Sequence, residues 1–337
     1  MNPGIATAIA ASPQLCDRFG RRVDYIRVSV TDRCDHRCSY CMPAGAHAVA
    51  RRDAWLSSDE IVRLLAAFAR EGVRRVRLTG GEPLLRHDLP QLAARIRAIA
   101  HIEDLSLSTN GTQLTRHARA LRRAGVDRLN ISLDSLDRSA HARIAGRDSF
   151  DEVMAGIDAA LAEGFAPIKL NMVVMAGVNA HEVNAMADFA MARGLVLRLI
   201  ETMPIGPAAG GRLHVALDAI SAELVARLDL VPDTDVLGGG PARYWRQRRG
   251  GGRLGFITPL SQHFCATCNR VRLAVDGVLH TCLGHAHSFP FRPLLRGGAS
   301  DAALAHAIHQ AIALKPRQHT FNEQPLTFVR LMSQTGG

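Results

Sequence analysis

Lysine is almost missing from this chain of 337 residues: Lys169 and Lys315 are the only two among 41 basic side chains. The remainder is arginine, set against 31 acids for a formal charge of +10. Most of these arginines read as solvated helix faces, but the surplus favours a phosphate-rich ligand over a cationic one. Aromatic residues are also scarce, at 5%, and no basic helix, finger or stacking platform accompanies the charge, which argues against nucleic acid as a partner. No apolar run is long enough to span a bilayer, and the mildly apolar first dozen residues lack a leading basic segment. Neither membrane insertion nor export is therefore expected, and the expected location is cytoplasmic. Internal repeats and low-complexity tracts are absent too. The 47% hydrophobic content is enough to fill the core of one large or two medium domains.

Seven cysteines stand out against this background: Cys16, a triplet at Cys34, Cys38 and Cys41, and a second set at Cys265, Cys268 and Cys282. Three thiols within eight residues, in the stretch SVTDRCDHRCSYCMP, are too tightly spaced for a disulfide framework and suit metal ligation. A set of three implies either a distant fourth ligand or an open coordination position. A zinc knuckle completed by His36 or His47 is the competing reading of the triplet. In the second set, Asp276-Gly277 predicts a hairpin turn that brings Cys282 back beside residue 271 and close to Cys265 and Cys268. A zinc site completed by His280, His285 or His287 competes there. Cys16 reads as an incidental free thiol.

Short β-branched runs predict strands near residues 25–30, 73–78, 104–108, 127–133, 167–174 and 195–200, alternating with helical patterns. Ser57 and Glu60 form a capping-box pattern before one helix, which Gly72 ends, and Ser149 to Ala162 closes with Gly164 in the same manner. The alternation predicts a parallel sheet with right-handed crossovers, curled into an α/β, partial or complete TIM-type barrel. RLTGGEP (77–83), STNG (108–111), SLD (132–134) and ETMPIG (201–206) all end strands, as does the first cysteine set. They thus share the carboxyl-end face where such barrels build active sites. After Pro204 the pattern fades into a glycine-rich segment that reads as a mobile loop around a short strand, then strands of an appended module and a helix from about Asp301 to Leu314. The expected organisation is an N-terminal extension (1–20), a barrel core (21–204) and a C-terminal module (205–337). Arg270 and Arg272, two apart on a predicted strand, project from one face. Arg27 and Arg77 alternate with apolar neighbours and are expected to point inward, whereas Arg74 and Arg75 read as surface charges.

SVTDRCDHRCSYCMP, RLTGGEPLLRHDL, NISLDSLD, SQHFCATCNRVRL, Cys282 and the terminal Gly336-Gly337 occur in this order from about Phe19 to the end. The pattern resembles the radical S-adenosylmethionine (SAM) superfamily and, within it, the GTP 3′,8-cyclase family of molybdenum-cofactor biosynthesis. The resemblance implies two [4Fe-4S] clusters, the first on Cys34, Cys38 and Cys41 with its free iron binding SAM, the second on Cys265, Cys268 and Cys282 facing the guanine of GTP. It also implies SAM contacts at Tyr40, Gly81, Ser132 and Met203, with Glu82 as a partner for the SAM ammonium. GTP contacts are implied at Arg27, Arg77, Ser108, Lys169, Arg270, Val271 and Arg272. The implied reaction cleaves SAM to a 5′-deoxyadenosyl radical that removes the 3′ hydrogen of GTP; attack on C8 and reduction give (8S)-3′,8-cyclo-7,8-dihydroguanosine 5′-triphosphate. Implied partners are GTP, an electron donor and the next enzyme, cyclic pyranopterin monophosphate synthase, and a homodimer is compatible. Gly80 and Gly81 are read as letting the backbone approach a ligand, and the double-glycine tail as reaching into the cavity. Asp35 departs from the asparagine usual in the family, and residues 44–56 and 207–216 follow no family pattern. A radical SAM enzyme acting on a peptide, and a zinc-stabilised binding module without catalysis, are the competing readings.

Overall fold

The computed structural model describes residues 14–42, 52–205, 211–235, 237–321 and 332–336. Twelve strands follow in chain order: β1 (Tyr25–Ser29), β2 (Arg75–Thr79), β3 (Asp104–Thr109), β4 (Arg128–Ser132), β5 (Ile168–Val174), β6 (Val196–Glu201), β7 (Leu230–Pro232), β8 (Arg243–Gln247), β9 (Arg253–Ile257), β10 (Arg270–Leu273), β11 (Val278–His280) and β12 (Ser288–Pro290). They form one sheet in the order β12-β11-β10-β1-β2-β3-β4-β5-β6-β9-β8-β7. The eight strands from β10 through β1–β6 to β9 are all parallel. No strand pairing joins β9 to β10 among the described residues, yet side chains from both line one cavity. The sheet therefore curls into a barrel left open along one seam.

Strand alternation explains why the barrel has an interior to offer. On one side, Ile26, Val28, Val76, Leu78, Leu105 and Leu107 pack into the continuous apolar core beneath the helices. On the other side, Arg27, Arg77, Ser106, Asn130, Arg198 and Arg272 are all buried within the curl. The usual barrel interior is filled by layers of branched apolar side chains; a lumen of polar and cationic groups cannot close on itself in that way.

The helices that cover the core are α1 (Ser58–Glu71), α2 (Leu89–Arg97), α3 (Leu114–Arg123), α4 (Arg138–Ala145), α5 (Phe150–Ala162) and α6 (Val183–Ala192), followed by α7 (Asp218–Arg227), α8 (Arg292–Arg296), α9 (Asp301–Ala313) and α10 (Met332–Thr335). The capping box of α1 is present in full: Ser57 Oγ accepts from Glu60 N at 3.1 Å, and Ser57 N donates to the Glu60 carboxylate at 2.7 Å. Gly72 ends the helix at φ +122°. Helix α9 packs on α1, with Arg70 paired to Asp301 at 2.9 Å.

Two expectations change. The strands after residue 204 do not stand apart as an appended module, because β9 pairs with β6 and β10 with β1, continuing the barrel sheet at both edges. Arg74 is buried rather than a surface charge: its guanidinium donates to the carbonyls of Ala69 at 2.8 Å, in the last turn of α1, and of Val73 at 3.1 Å, just beyond it. Arg75 keeps a half-buried side chain that pairs with Asp24. Within the glycine-rich loop the short strand is β8, Arg243–Gln247, which pairs with both β7 and β9.

Removing the cap is a direct test of this local account. Ser57→Ala should lower stability by about 1 kcal/mol, measured as a shifted urea midpoint with an unchanged slope.

Candidate functional site

The two cysteine sets occupy opposite ends of the barrel. Cys34, Cys38 and Cys41 follow the carboxyl end of β1, together with the GGEP, STNG and SLD turns. Cys265 and Cys268 instead precede β10, which runs parallel to β1, so they lie at its amino end. The antiparallel hairpin pairs Arg272 with His280, a register that sets Cys282 level with Arg270, one residue from the expected 271. The first set lines a cavity of about 150 Å³ and the second an adjoining one of about 240 Å³. Tyr40, Ser132, Asp134 and Asn171 belong to both walls, so the cavities are continuous.

Backbone bonds to neighbouring elements hold the first loop. Arg37 N and Ser39 N donate to Ala145 and Ile144 at the end of α4, and Cys41 N to Cys38 O at 2.9 Å. Gly81 N donates to Thr31 O at 2.8 Å and Glu82 N to Arg33 O at 2.7 Å. A Cβ on Gly80 would run into the Thr31 carbonyl, and one on Gly81 into the Arg33 carbonyl. These glycines thus let the GGEP turn lie against the cysteine loop itself, a correction to the reading that they make room for a ligand.

Glu82 accepts from Leu84 N at 3.0 Å, Thr109 Oγ1 at 2.7 Å and Asn110 N at 2.6 Å. Burial lifts its carboxyl to about 7. Most of its acceptor capacity fixes two turns, which leaves little for a ligand ammonium. Asp35 ties the same turns together, accepting from Asn110 Nδ2 and Thr112 Oγ1 at 2.7 Å each. His36 lines the same cavity and is bonded to Ser149 Oγ at 2.8 Å.

At the junction of the two cavities, Tyr40 donates to Asp134 at 2.9 Å, and the other Asp134 oxygen accepts from Val173 N at 2.8 Å. Gly81 and Ser108 line the first cavity, Ser132 lines both, and Met203 and Val271 line the second. Arg272, Arg27 and Arg77 lie level with one another on β10, β1 and β2. Burial pulls Arg27 and Arg77 down to about 9, and Arg272 to about 10, with further depression of Arg27 by Arg272 and of Arg272 by Arg270. None of the four arginines at 27, 77, 270 and 272 pairs with a carboxylate among the described residues. Buried Nε atoms of Arg27 and Arg270 have no hydrogen-bond partner there.

Arg198 completes this lumen and escaped the sequence reading. It is buried, lines the second cavity, and donates to Asn171 at 2.8 Å and Asn130 at 2.7 Å. The signal was present: an arginine alternating with Leu197 and Leu199, the pattern that marked Arg27 and Arg77. Lys169 is buried but lines neither cavity; its ammonium meets the Leu237 carbonyl and lies 5.2 Å from the Tyr244 ring centroid. Burial, then Arg198, lowers it to about 6. The tail reaches inside, with Gly336 against Thr79 and the Thr335 and Gly336 carbonyls accepting from Arg272. Gly337 lies outside the described residues.

Both thiol sets fit a bound iron–sulfur group. Burial raises Cys34 to about 12 and Cys38 well above the ordinary thiol range; a bound metal would hold them as thiolates. Burial also raises Cys268, but Lys315 and Arg270 outweigh it and bring the thiol to about 7. Among the described residues, no three His, Cys, Asp or Glu side chains are grouped to chelate a single metal ion. That holds for the two thiol sets alone and for the sets joined by His36 or by His280, His285 or His287, so it does not separate a cluster from zinc; His47 lies outside the described residues. Cys16 is exposed and lines neither cavity.

The open parallel barrel with three thiols after its first strand defines a radical SAM enzyme, a class that uses an iron–sulfur cluster and SAM. The description "Radical SAM superfamily" matches residues 28–190, and "Molybdenum Cofactor Synthesis C" matches residues 195–321. The fold resembles that of Streptococcus suis SuiB, in a structure bound to S-adenosylmethionine, at TM-score 0.61 and 13% identity, covering 93% of this chain and 78% of that one. The chain belongs to the GTP 3′,8-cyclase family. It is 46% identical over 326 residues to GTP 3′,8-cyclase 1 of Pseudomonas aeruginosa (95% of this chain, 98% of the relative). Against the GTP 3′,8-cyclase of Erythrobacter litoralis it is 45% identical over 338 residues, covering 97% and 100%.

Gly81→Ala checks the packing of the two loops. The added methyl must displace the Arg33 carbonyl, so the variant should bind less iron than the parent after anaerobic reconstitution while its far-UV circular dichroism stays native.

Proposed function

We propose a division of labour along the lumen for this chain acting as a radical SAM GTP 3′,8-cyclase, which converts GTP to (8S)-3′,8-cyclo-7,8-dihydroguanosine 5′-triphosphate in the first step of molybdenum-cofactor biosynthesis. The observation that carries it is the pair of thiol sets at the two ends of one cationic chamber. Cys34, Cys38 and Cys41 would hold one [4Fe-4S] cluster, and Cys265, Cys268 and Cys282 a second. When bound, the first cluster supplies the electron that cleaves SAM.

The rest falls to side chains of this chain. Tyr40, Gly81, Ser132 and Met203 would seat SAM near the Tyr40–Asp134 junction. Arg27, Arg77, Arg270 and Arg272 would grip the triphosphate, since forked guanidinium groups match phosphate oxygens in bidentate geometry. Ser108, Val271 and Lys169 would complete the substrate site, Lys169 from behind the wall. Like-charged groups forced together without carboxylates are expensive until an anion arrives, so the apo lumen is poised for a polyphosphate. A peptide substrate would leave that cost in place. Residues 21–204 would carry SAM chemistry and 205–337 the second cluster, in a cytoplasmic enzyme supplied by an electron donor and feeding the next enzyme of the pathway. No helix among the described residues is long and apolar enough to cross a membrane.

Anaerobic turnover with SAM, reductant and either GTP or ATP tests the assignment: 5′-deoxyadenosine and a cyclised nucleotide should form with GTP alone, and formation with ATP at an equal rate would contradict it. Iron analysis should give about eight irons per chain; four would remove the second cluster. Cys34→Ala should abolish SAM cleavage. Arg272→Ala should retain SAM cleavage but weaken GTP binding by about 1.5–3 kcal/mol, roughly ten- to hundred-fold in Kd, read by equilibrium dialysis.

A further inference from the structure

Of the chain's two lysines, Lys315 has no part in the substrate site, yet it is 2% exposed. It follows α9 directly, with its own N–H bonded to Ile312 O at 3.0 Å. All three ammonium donors are spent at one place. Nζ donates to Cys268 Sγ at 3.3 Å, to Arg270 O at 2.9 Å and to Thr281 O at 2.9 Å. These acceptors belong to one proposed ligand of the second cluster, to the first residue of β10 and to the residue before Cys282.

The mounting is rigid. Arg21 donates from Nη2 to Pro316 O at 2.6 Å and from Nη1 to Arg317 O and Cys265 O at 2.8 Å each. One cation thus holds the segment after Lys315 and the loop carrying Cys265 together. Asp17 fixes Arg21 in turn at 2.6 Å.

Lys315 is a buried cation whose acceptors are two neutral carbonyls and a sulfur, and it pairs with no carboxylate among the described residues. Burying a charge without a counter-charge is costly. The negative charge that offsets it must come from the sulfur side, and a thiolate-ligated cluster supplies it. Each electron such a cluster takes up adds a further negative charge, so a fixed ammonium at a ligand sulfur favours the reduced form. Hydrogen bonds to sulfur and local charge are established controls of cluster potential. The choice of lysine in a chain that otherwise uses arginine fits as well, because a compact tetrahedral ammonium can reach three converging acceptors that a planar guanidinium cannot match.

We propose that Lys315 is a positioning and tuning residue of the second cluster: its ammonium donates to the Cys268 sulfur, raises the reduction potential of that cluster, and laces together the two strand ends that carry Cys268 and Cys282. The proposal rests on the two-cluster reading above.

The test uses anaerobically reconstituted full-length chains that also carry C34A, C38A and C41A, so that only the second cluster contributes, in Lys315, Lys315→Met and Lys315→Arg forms. Potentiometric titration followed by electron paramagnetic resonance should show the reduced-to-oxidised ratio of Lys315→Met falling at least tenfold at a fixed potential, about 59 mV for one electron. Lys315→Arg, which keeps the charge, should lie between the two. A Lys315→Met chain with full iron and an unshifted midpoint would overturn the proposal. If Lys315→Met does not fold, Lys315→Gln, which keeps two N–H donors without the charge, is read against the same criterion. Failure of the underlying reading looks different: the Lys315 parent itself would hold no iron.

Discussion

Burying guanidinium groups side by side is the constraint on which the rest of this structure turns. Neighbouring strands lie about 4.8 Å apart, a separation at which two like charges repel by about 3 kcal/mol at an effective dielectric near 20. Arg272, Arg27 and Arg77 occupy one level on three adjacent strands, and Arg198 enters the same lumen from β6. A stable domain tolerates this only because the aliphatic side of every strand feeds a continuous core beneath the helices. The interior is consequently not a packing solution but a binding one. Stability is drawn from one face of the sheet and spent, as electrostatic strain, on the other.

Much of this was legible in the sequence, for reasons that can be named. The six central strands and the capped helix α1 follow from periodicity and cap chemistry, which are local. The thiol triplet and its turns are legible because a parallel strand must deliver its carboxyl end to one face. Arg27 and Arg77 reveal themselves by alternating with aliphatic neighbours. What local pattern could not supply was strand partnership. The segments of the expected appended module that form β9 and β10 read correctly as strands, but nothing within them says that they extend the barrel on opposite edges rather than pairing with each other. Arg74 shows the same limit at the level of one side chain: its buried guanidinium is held by the Ala69 and Val73 carbonyls around the end of α1, which no periodicity records. Nor does the GGEP pattern announce that its glycines yield to the backbone at Thr31 and Arg33, a contact between loops about fifty residues apart in the chain.

The open seam between β9 and β10 has a chemical consequence. A closed eight-stranded barrel presents its functional loops at the carboxyl ends of its strands alone. Here the chain leaves β9, carries Cys265 and Cys268 toward the amino end of β10, and returns Cys282 to the same end through an antiparallel hairpin. Thiols therefore arrive at the end of the lumen that a closed barrel leaves to structural contacts. Arg21, just ahead of β1, and Lys315, just after α9, secure that loop from two distant parts of the chain.

The placement of lysine and arginine follows from the same geometry. A planar guanidinium fork can grip two phosphate oxygens at once, and the lumen is lined by five arginines, Arg27, Arg77, Arg198, Arg270 and Arg272. Where acceptors converge on one point, as Cys268 Sγ, Arg270 O and Thr281 O do, the tetrahedral ammonium fits better than a planar fork. Of the two lysines, both buried, Lys315 meets three converging acceptors whereas Lys169 meets one carbonyl and the face of Tyr244. At Lys315 the identity of the basic residue follows from the direction of its acceptors: they converge on one nitrogen, whereas the carbonyls that Arg21 meets are spread over two guanidinium nitrogens.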